Sequence, residues 1–556
     1  MAEQKNLSAV EKIKTASDAL RGTLSDSLLD ELTGAVREHD HALIKFHGMY
    51  EQDDRDLREE RASQKLDKLY SFMIRLRIPG GLITPEQWLA AHHVAGRYTT
   101  GVIKITTRQT IQLHGILKRD IKPTLKEFDT VKLDSIAACG DVNRNVIASS
   151  HPSISSLHRE IHDYAAKIST AFLPKTRAYY EVWLDEEKLL DKKEEEDPLY
   201  QDRYLPRKFK IAVAIPPNND VDVFANDLGL IAIIENDKLV GFNIAVGGGL
   251  SSTHGNPANY ARVATVLGYV PEDKVMKAAY EVLTVQRDFG NRSDRKLARI
   301  KYTIDRLGVE GFKAELEERC GFKLEVARPY TFTERRDHFG WEQSEDGKWH
   351  YTLFVENGRV LDDEKLAMKT ALFHVAETGK ANFRFTANQN LILSDISEEN
   401  KATIENILTE FGLIEHTESA SEIRKNAVAC VALNTCPLAL AEAQRYLPTL
   451  IGKIEPLLEK HDLLEEEIHV RMTGCPNGCG RSPLAEIGFI GTAYGRYNLH
   501  LGGDRLGERL NVKYRDNIDE ETILTELDRL FGDYKAEGID GETFGDFAIR
   551  KELVTA

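Results

Sequence analysis

Three short patterns occur twice along this 556-residue chain, in the same order each time. Ile103-Lys-Ile-Thr-Thr-Arg-Gln-Thr-Ile-Gln-Leu113 matches Phe383-Arg-Phe-Thr-Ala-Asn-Gln-Asn-Leu-Ile-Leu393 in its apolar positions and in its Thr and Gln. Ala138-Cys139-x-x-x-Asn143 matches Ala429-Cys430-x-x-x-Asn434, and Phe242-Asn-Ile-Ala-Val-Gly-Gly248 matches Tyr497-Asn-Leu-His-Leu-Gly-Gly503. Chance similarity between strand-rich segments explains one such pair; three in register indicate a duplicated unit. The first pair alternates apolar and polar residues, the period of half-buried strands, whereas Glu86–Arg97, Ser155–Phe172 and Leu438–Leu458 carry helical spacing. Strands and helices intermingled in this way predict an α+β fold, with helices over one face of antiparallel sheets. Two such halves leave a pseudo-twofold axis and a crevice between them, a natural seat for a large cofactor.

Charge limits what that crevice serves. Lys and Arg number 73 against 89 Asp and Glu, a net charge of −16. An acidic surface argues against nonspecific nucleic-acid binding, which rests on neutralising phosphates. Any anion site must be a local cationic pocket set against the overall field. No run reaches the roughly 18 apolar residues of a membrane helix, and the start of the chain lacks the apolar core of a secretory signal, so a cytoplasmic address is expected. The first 60 or so residues are polar, with Glu51–Arg61 nearly all charge; they read as a solvated helix or arm, or as a docking arm for a partner. Asp191–Pro198 reads as an exposed connection that Pro198 terminates.

Four of the six cysteines crowd into one region, as Cys430-x5-Cys436 and, some forty residues on, Cys475-Pro-Asn-Gly-Cys479. Structural zinc sites favour two to four residues between ligands, so the wide first spacing suits an iron–sulfur cluster better, with zinc as the alternative. Pro437 is placed to start a helix after Cys436, and the Pro476-Asn477-Gly478 turn offers backbone donors between two sulfurs. Cys139 and Cys320 stand alone and read as small core residues.

Thr473-Gly-Cys475-Pro-Asn-Gly-Cys479-Gly-Arg481, preceded by Ala429-Cys430-x5-Cys436-Pro437, resembles the signature of the siroheme-dependent sulfite and nitrite reductases. The likeness extends over Phe46–Arg55, Arg77–Gly81, Thr107–Gly115, Asn143–Val146, Leu205–Lys210, Tyr497–Gly503 and Phe544–Phe547. Within that family it is nearest to the haemoprotein subunits of assimilatory, NADPH-dependent sulfite reductases, which feed cysteine biosynthesis. The resemblance implies an arm at 1–66, ferredoxin-like half-domains at 67–136 and 345–417, a siroheme and substrate domain at 137–344, and a second siroheme domain at 418–556 carrying the cluster ligands. It implies a 4Fe-4S cluster on Cys430, Cys436, Cys475 and Cys479, with Cys479 also the axial ligand of siroheme iron. Lys104, Arg108, Gln112, His114 and Asn143 fall on cofactor-binding positions, and Arg108, Gln112 and His114 are expected to share one face of a single strand. Arg75, Arg144, Lys208 and Lys210 fall on the substrate cations; Lys208 and Lys210, two apart in an expected strand, face the haem together while Phe209 points away.

What the resemblance implies for chemistry is the six-electron reduction of sulfite to sulfide, the paired lysines favouring sulfite over nitrite. A siroheme nitrite reductase and a non-catalytic iron–sulfur carrier are the rival readings. No Gly-x-Gly-x-x-Gly follows an expected strand, and Gly247-Gly-Gly-Leu-Ser-Ser252 lacks the Gly-Lys-Ser/Thr ending of a phosphate loop, reading instead as a turn or a close backbone approach. Electrons are therefore expected from a separate protein, an NADPH-oxidising flavoprotein first and a ferredoxin second.

Overall fold

The computed structural model describes residues 7–150, 156–187 and 197–555, so most of the charged connection at 191–198 lies outside the described residues. Among these, twenty strands, β1–β20 in chain order, form four five-stranded sheets. The first runs β1 (Met49–Asp53), β2 (Tyr70–Arg75), β5 (Ile111–Ile116), β4 (Ile103–Ile105) and β13 (Arg359–Val360). The second runs β11 (Gly340–Gln343), β12 (Trp349–Leu353), β15 (Leu391–Ile396), β14 (Asn382–Phe385) and β3 (Leu82–Ile83). Each is closed by a two-residue strand from the other half of the chain: Arg359 pairs with Lys104, and Ile83 with Phe383. The duplicated halves are thus laced together by reciprocal strand exchange.

The third sheet orders β6 (Ile147–Ala148), β7 (Ile211–Ala214), β8 (Leu228–Glu235), β9 (Lys238–Val246) and β10 (Thr265–Pro271). The fourth repeats it with β16 (Ala427–Ala429), β17 (Val470–Thr473), β18 (Ile487–Ala493), β19 (Arg496–Leu501) and β20 (Val512–Ile518). In both, the first three strands are parallel and the last two antiparallel, so these sheets are mixed where the sequence suggested antiparallel ones. The fold class is α+β with duplicated halves, and the first and third repeated patterns fall at equivalent places in the two copies. The second does not, because Ala429 ends β16 whereas its counterpart at the end of β6 is Ala148, so Ala138-Cys139 lies ahead of that strand.

The helix Pro85–Tyr98 begins at a capping box, Thr84 and Gln87 each satisfying the other's backbone N–H, with proline in its first turn. Its Trp88 stacks on Phe383 of the other half at 4.6 Å. One apolar core spans the first three sheets and a second underlies the fourth.

Three expectations are corrected. The segment 103–113 is not one strand: Thr106 N–H bonds Thr110 O at 2.8 Å and Gln109 takes φ 50°, turning the chain into a β4–β5 hairpin in which Lys104 faces Gln112 across strands. No helix starts at Pro437; the helix runs Leu447–Lys460, because Ala439, Ala441 and Ala443 bury alternate positions of a non-helical stretch. The amino-terminal region is not a free arm. Lys14 is buried against Glu11 and donates to Leu205 O at 2.7 Å, while Glu51–Asp53 belong to β1.

Candidate active site

The loops leaving the carboxyl ends of the parallel strands β7 and β17 meet across the pseudo-twofold axis, where such sheets place their sites. Between them lies a cleft of about 470 Å³. Lys208, Lys210, Arg108, Arg299 and Arg481 line it from several segments, and Asn477, Gly478 and Cys479 from the β17 loop. Lys208 and Lys210 sit just ahead of β7 in extended backbone pinned by the Asn143–Phe209 bridge; Phe209 is buried on the opposite side, so the expected alternation is seen without a continuous strand. Burial, reinforced by Arg207, Lys210 and Arg299, pushes the Lys208 pKa well below its ordinary value; burial with Arg108 and Arg299 brings Lys210 to about 7.

The cleft is lined by cations with few counter-ions. Arg299 forms a two-pronged pair with Asp227 at 2.8 and 2.9 Å, and Asp227 also accepts the Lys210 backbone N–H. Arg108, at the tip of the β4–β5 hairpin, donates to Asn226 Oδ1 at 2.5 Å and to Ile211 O at 3.1 Å. Arg481 is held with Arg335 and Arg471 around the one carboxylate of Asp222, at 2.6, 3.1 and 2.6 Å respectively. The Nε–H groups of Arg108, Arg335, Arg471 and Arg481 are buried without acceptors.

Beside the cleft the four cysteines come together. Cys430, Cys436 and Cys475 all have raised thiol pKa values, first from burial and then from the charge of Cys479. Gly474 N–H points at Cys430 Sγ (3.4 Å) and Asn477 Nδ2 at Cys475 Sγ (3.3 Å). The backbone N–H groups of Leu438 and Ala439 serve Cys436, taking the part foreseen for a helix start. Among the described residues no group of three or more His, Cys, Asp or Glu side chains is arranged to hold a single metal ion.

The remaining expected residues form a second group that does not line the cleft. Arg75 donates to Gln112 Oε1 at 2.9 Å and to Cys139 Sγ at 3.3 Å. Arg144 donates to Gly140 O at 2.7 Å and Ala138 O at 3.3 Å. His114 Nδ1 meets Gln52 Oε1 (2.9 Å) and Thr435 Oγ1 (3.2 Å), the latter between two residues of the Cys436 loop; its Nε2 and Asn143 Oδ1 are buried without partners. Burial and nearby Arg359 lower Lys104 to about 7. Arg299 and Asn226 were missed because they lie in no quoted motif. Arg481 stood in one, but its partner Asp222 is visible only in three dimensions.

Comparison with known proteins bears on this geometry. The family model described as nitrite and sulphite reductase 4Fe-4S domain matches residues 164–324, and the nitrite/sulfite reductase ferredoxin-like half domain matches twice, at 64–131 and 342–411. A Leptospira biflexa protein named sulfite reductase (NADPH) hemoprotein beta-component is 62% identical over 550 residues, 99% of each chain. This chain belongs to the nitrite and sulphite reductase family. Another nitrite and sulphite reductase relative, from Staphylococcus haemolyticus and of the same printed name, is 52% identical over 99% of this chain and 96% of its own. The structure of Mycobacterium tuberculosis NirA protein superposes with a TM-score of 0.80 at 25% identity, covering 98% of this chain and 97% of that one. The two half-domain matches fall on the first and second sheets. The 4Fe-4S match falls on the third, whereas the four cysteines of this nitrite and sulphite reductase stand on its copy, the fourth.

Proposed function

We infer that this chain reduces sulfite to sulfide by six electrons at a siroheme coupled to a 4Fe-4S cluster, as the haemoprotein partner of an NADPH-oxidising flavoprotein. The observation that carries the reading is one cleft in which Cys479 faces Lys208, Lys210, Arg108 and Arg481, with three further thiols behind it. The residues suit a carboxylate-rich macrocycle: buried guanidinium N–H groups on Arg108 and Arg481 lack acceptors, and a buried charge is stable only when paired. Cys430, Cys436 and Cys475, whose thiol pKa values rise first from burial and then from the charge of Cys479, suit a cluster that takes all four sulfurs as thiolates.

Cys430, Cys436, Cys475 and Cys479 would hold the cluster, and Cys479, which lines the cleft, would also hold the siroheme iron. When bound, the two cofactors supply the electrons and the iron at which S–O bonds are cleaved. Arg108 and Arg481, with Lys104, Gln112, His114 and Asn143 from the neighbouring group, would bind carboxylates and orient the ring. Lys208 and Lys210 would hold the oxyanion and release protons readily, because burial already disfavours their charged forms. Arg144 and Arg75, outside the cleft lining, fix the 138–144 loop through its carbonyls and Cys139 and would add positive charge behind the site. The paired lysines support sulfite over nitrite, and the printed names of the relatives support the flavoprotein over a ferredoxin. No helix among the described residues is long and apolar enough to cross a membrane, and thiolate ligands suit a reducing cytoplasm.

Cys479→Ser tests the centre of this reading. Expressed with siroheme supply, the variant is expected to lose the coupled spectrum of haem and cluster; both cofactors present in normal yield would reject the ligand assignment. Lys210→Asn is expected to reduce sulfite turnover more than nitrite turnover, roughly tenfold or more as for other lost charged contacts of about 1.4 kcal/mol. Equal losses would remove the argument for sulfite.

A further inference from the structure

A segment of the first half clasps the loop that carries Cys436. Arg55 donates from Nη1 to the carbonyl oxygens of Cys436 (3.1 Å) and Ala439 (2.6 Å), and from its backbone N–H to Asn434 O (3.2 Å). Asn434 Nδ2 answers to Asp54 Oδ1 at 2.8 Å, and Arg445 at the far end of the loop reaches Asp56 at 2.8 Å. Three consecutive residues, Asp54, Arg55 and Asp56, therefore grip the ligand loop along its length, although the two segments lie far apart in sequence.

Arg55 makes its side-chain bonds to none of the neighbouring carboxylates. Asp53 is taken by Arg58 through bonds of 2.5 and 2.7 Å and Asp56 by Arg445, while Asp54 keeps its charge and accepts from the neutral amide of Asn434. The guanidinium thus rests on main-chain oxygens, one of which belongs to Cys436 itself. A cluster becomes more negative when it gains an electron, so a fixed cation at this position favours its reduced state, and hydrogen bonds around the ligands tune the same equilibrium.

We propose that Arg55 is a positioning residue for the iron–sulfur cluster: it locks the Cys436 loop and holds a positive charge beside the cluster, raising the cluster's reduction potential. The proposal rests on the function inferred above. The test uses the full-length protein carrying both cofactors, as parent, Arg55→Gln and Arg55→Lys. Cluster reduction is followed by electron paramagnetic resonance during a potentiometric titration, and iron release to a chelator is timed separately. Arg55→Gln is expected to disfavour cluster reduction about tenfold, which for one electron is about 59 mV, and to speed iron release several-fold. Arg55→Lys keeps the charge and loses the fork, so it is expected to hold the parent potential while still releasing iron faster. If the glutamine variant assembles no cluster, faster iron release from the lysine variant supports the clasp and a parent rate overturns it. Parent potentials and parent release rates in both variants overturn this proposal alone. A parent protein that binds siroheme without any cluster overturns the functional reading together with it.

Discussion

Lys210 holds its amine in a cleft of like charges, and its pKa of about 7 gives the site a pH response whose sign is fixed. In the free protein the amine loses its proton near neutrality, whereas bound carboxylates or an oxyanion restore it. Binding above pH 7 therefore takes up a proton, and siroheme affinity is expected to fall as pH rises, by up to about tenfold per pH unit for each such lysine. By the same linkage the cofactor-free fold gains stability from about pH 7 toward 10, because the unfolded chain keeps the proton that the fold releases. Lys210→Met should bind siroheme more weakly at pH 6.5 and show a shallower dependence above pH 7; an unchanged slope would assign the response to another group. Lys208 and Lys210 were legible in the sequence because alternation around an apolar Phe209 survives in any extended backbone. Arg299 was not, since its place in the cleft depends on Asp227, a residue that no local pattern connects to it.

At the scale of elements, the repeated Thr and Gln of the first pattern find their reason in the hairpin tips. Thr106 and Thr386 close equivalent turns, through bonds to Thr110 O (2.8 Å) and Asn390 O (3.0 Å). Gln109 then pairs with both backbone groups of Ala148 in β6, and Gln389 accepts the N–H of Ala429 in β16. Each tip thereby ties a ferredoxin-like sheet to the sheet bearing the site. The exchanged strand β3 is entered through Gly81, at φ 79°, where an added Cβ would lie 2.6 Å from Phe385 O. Gly81→Ala is expected to cost about 1–3 kcal/mol, the range for strain at a special backbone position. Gly96, in the last turn of the Pro85–Tyr98 helix with open space around it, gives the opposite sign: Gly96→Ala should add up to about 1 kcal/mol. Urea unfolding of the two variants checks both; similar shifts would mean that β3 contributes little to the lacing of the halves. The hairpin escaped sequence reading because the alternation of Ile103–Leu113 continues through its turn residues. The stretch after Pro437 misled for the converse reason, its alanines and leucines fitting a helical period while the chain runs through turns and bends up to Leu447.

Across the whole molecule the duplication has divided one task between two copies. The position that holds Cys479 after β17 is held after β7 by Asp220, and the position of Lys210 ahead of β7 is held ahead of β17 by His469. One half thus presents Lys208, Lys210, Arg108 and Arg299, and the other the thiols together with Arg481. Asp222 and Arg481 are also equivalent residues, each opening a short turn with a left-handed backbone (φ 48° and 58°), and they form an ion pair with one another across the axis. With Arg335 and Arg471 they put three guanidiniums, all nearly inaccessible, on a single carboxylate. That arrangement is poised to accept further negative charge on the cleft side, and it makes the two members of the symmetric pair unequal. Asp222→Asn strands three buried cations and is expected to cost about 3–5 kcal/mol, the range for breaking a buried pair. Arg481→Gln removes one of the excess charges, so the cofactor-free protein should lose less, while its siroheme content should fall. Denaturant unfolding of both variants without siroheme, with haem content measured after siroheme supply, separates the two effects. Equal destabilisation with unchanged haem content would mean that the Asp222 cluster serves only to join the halves.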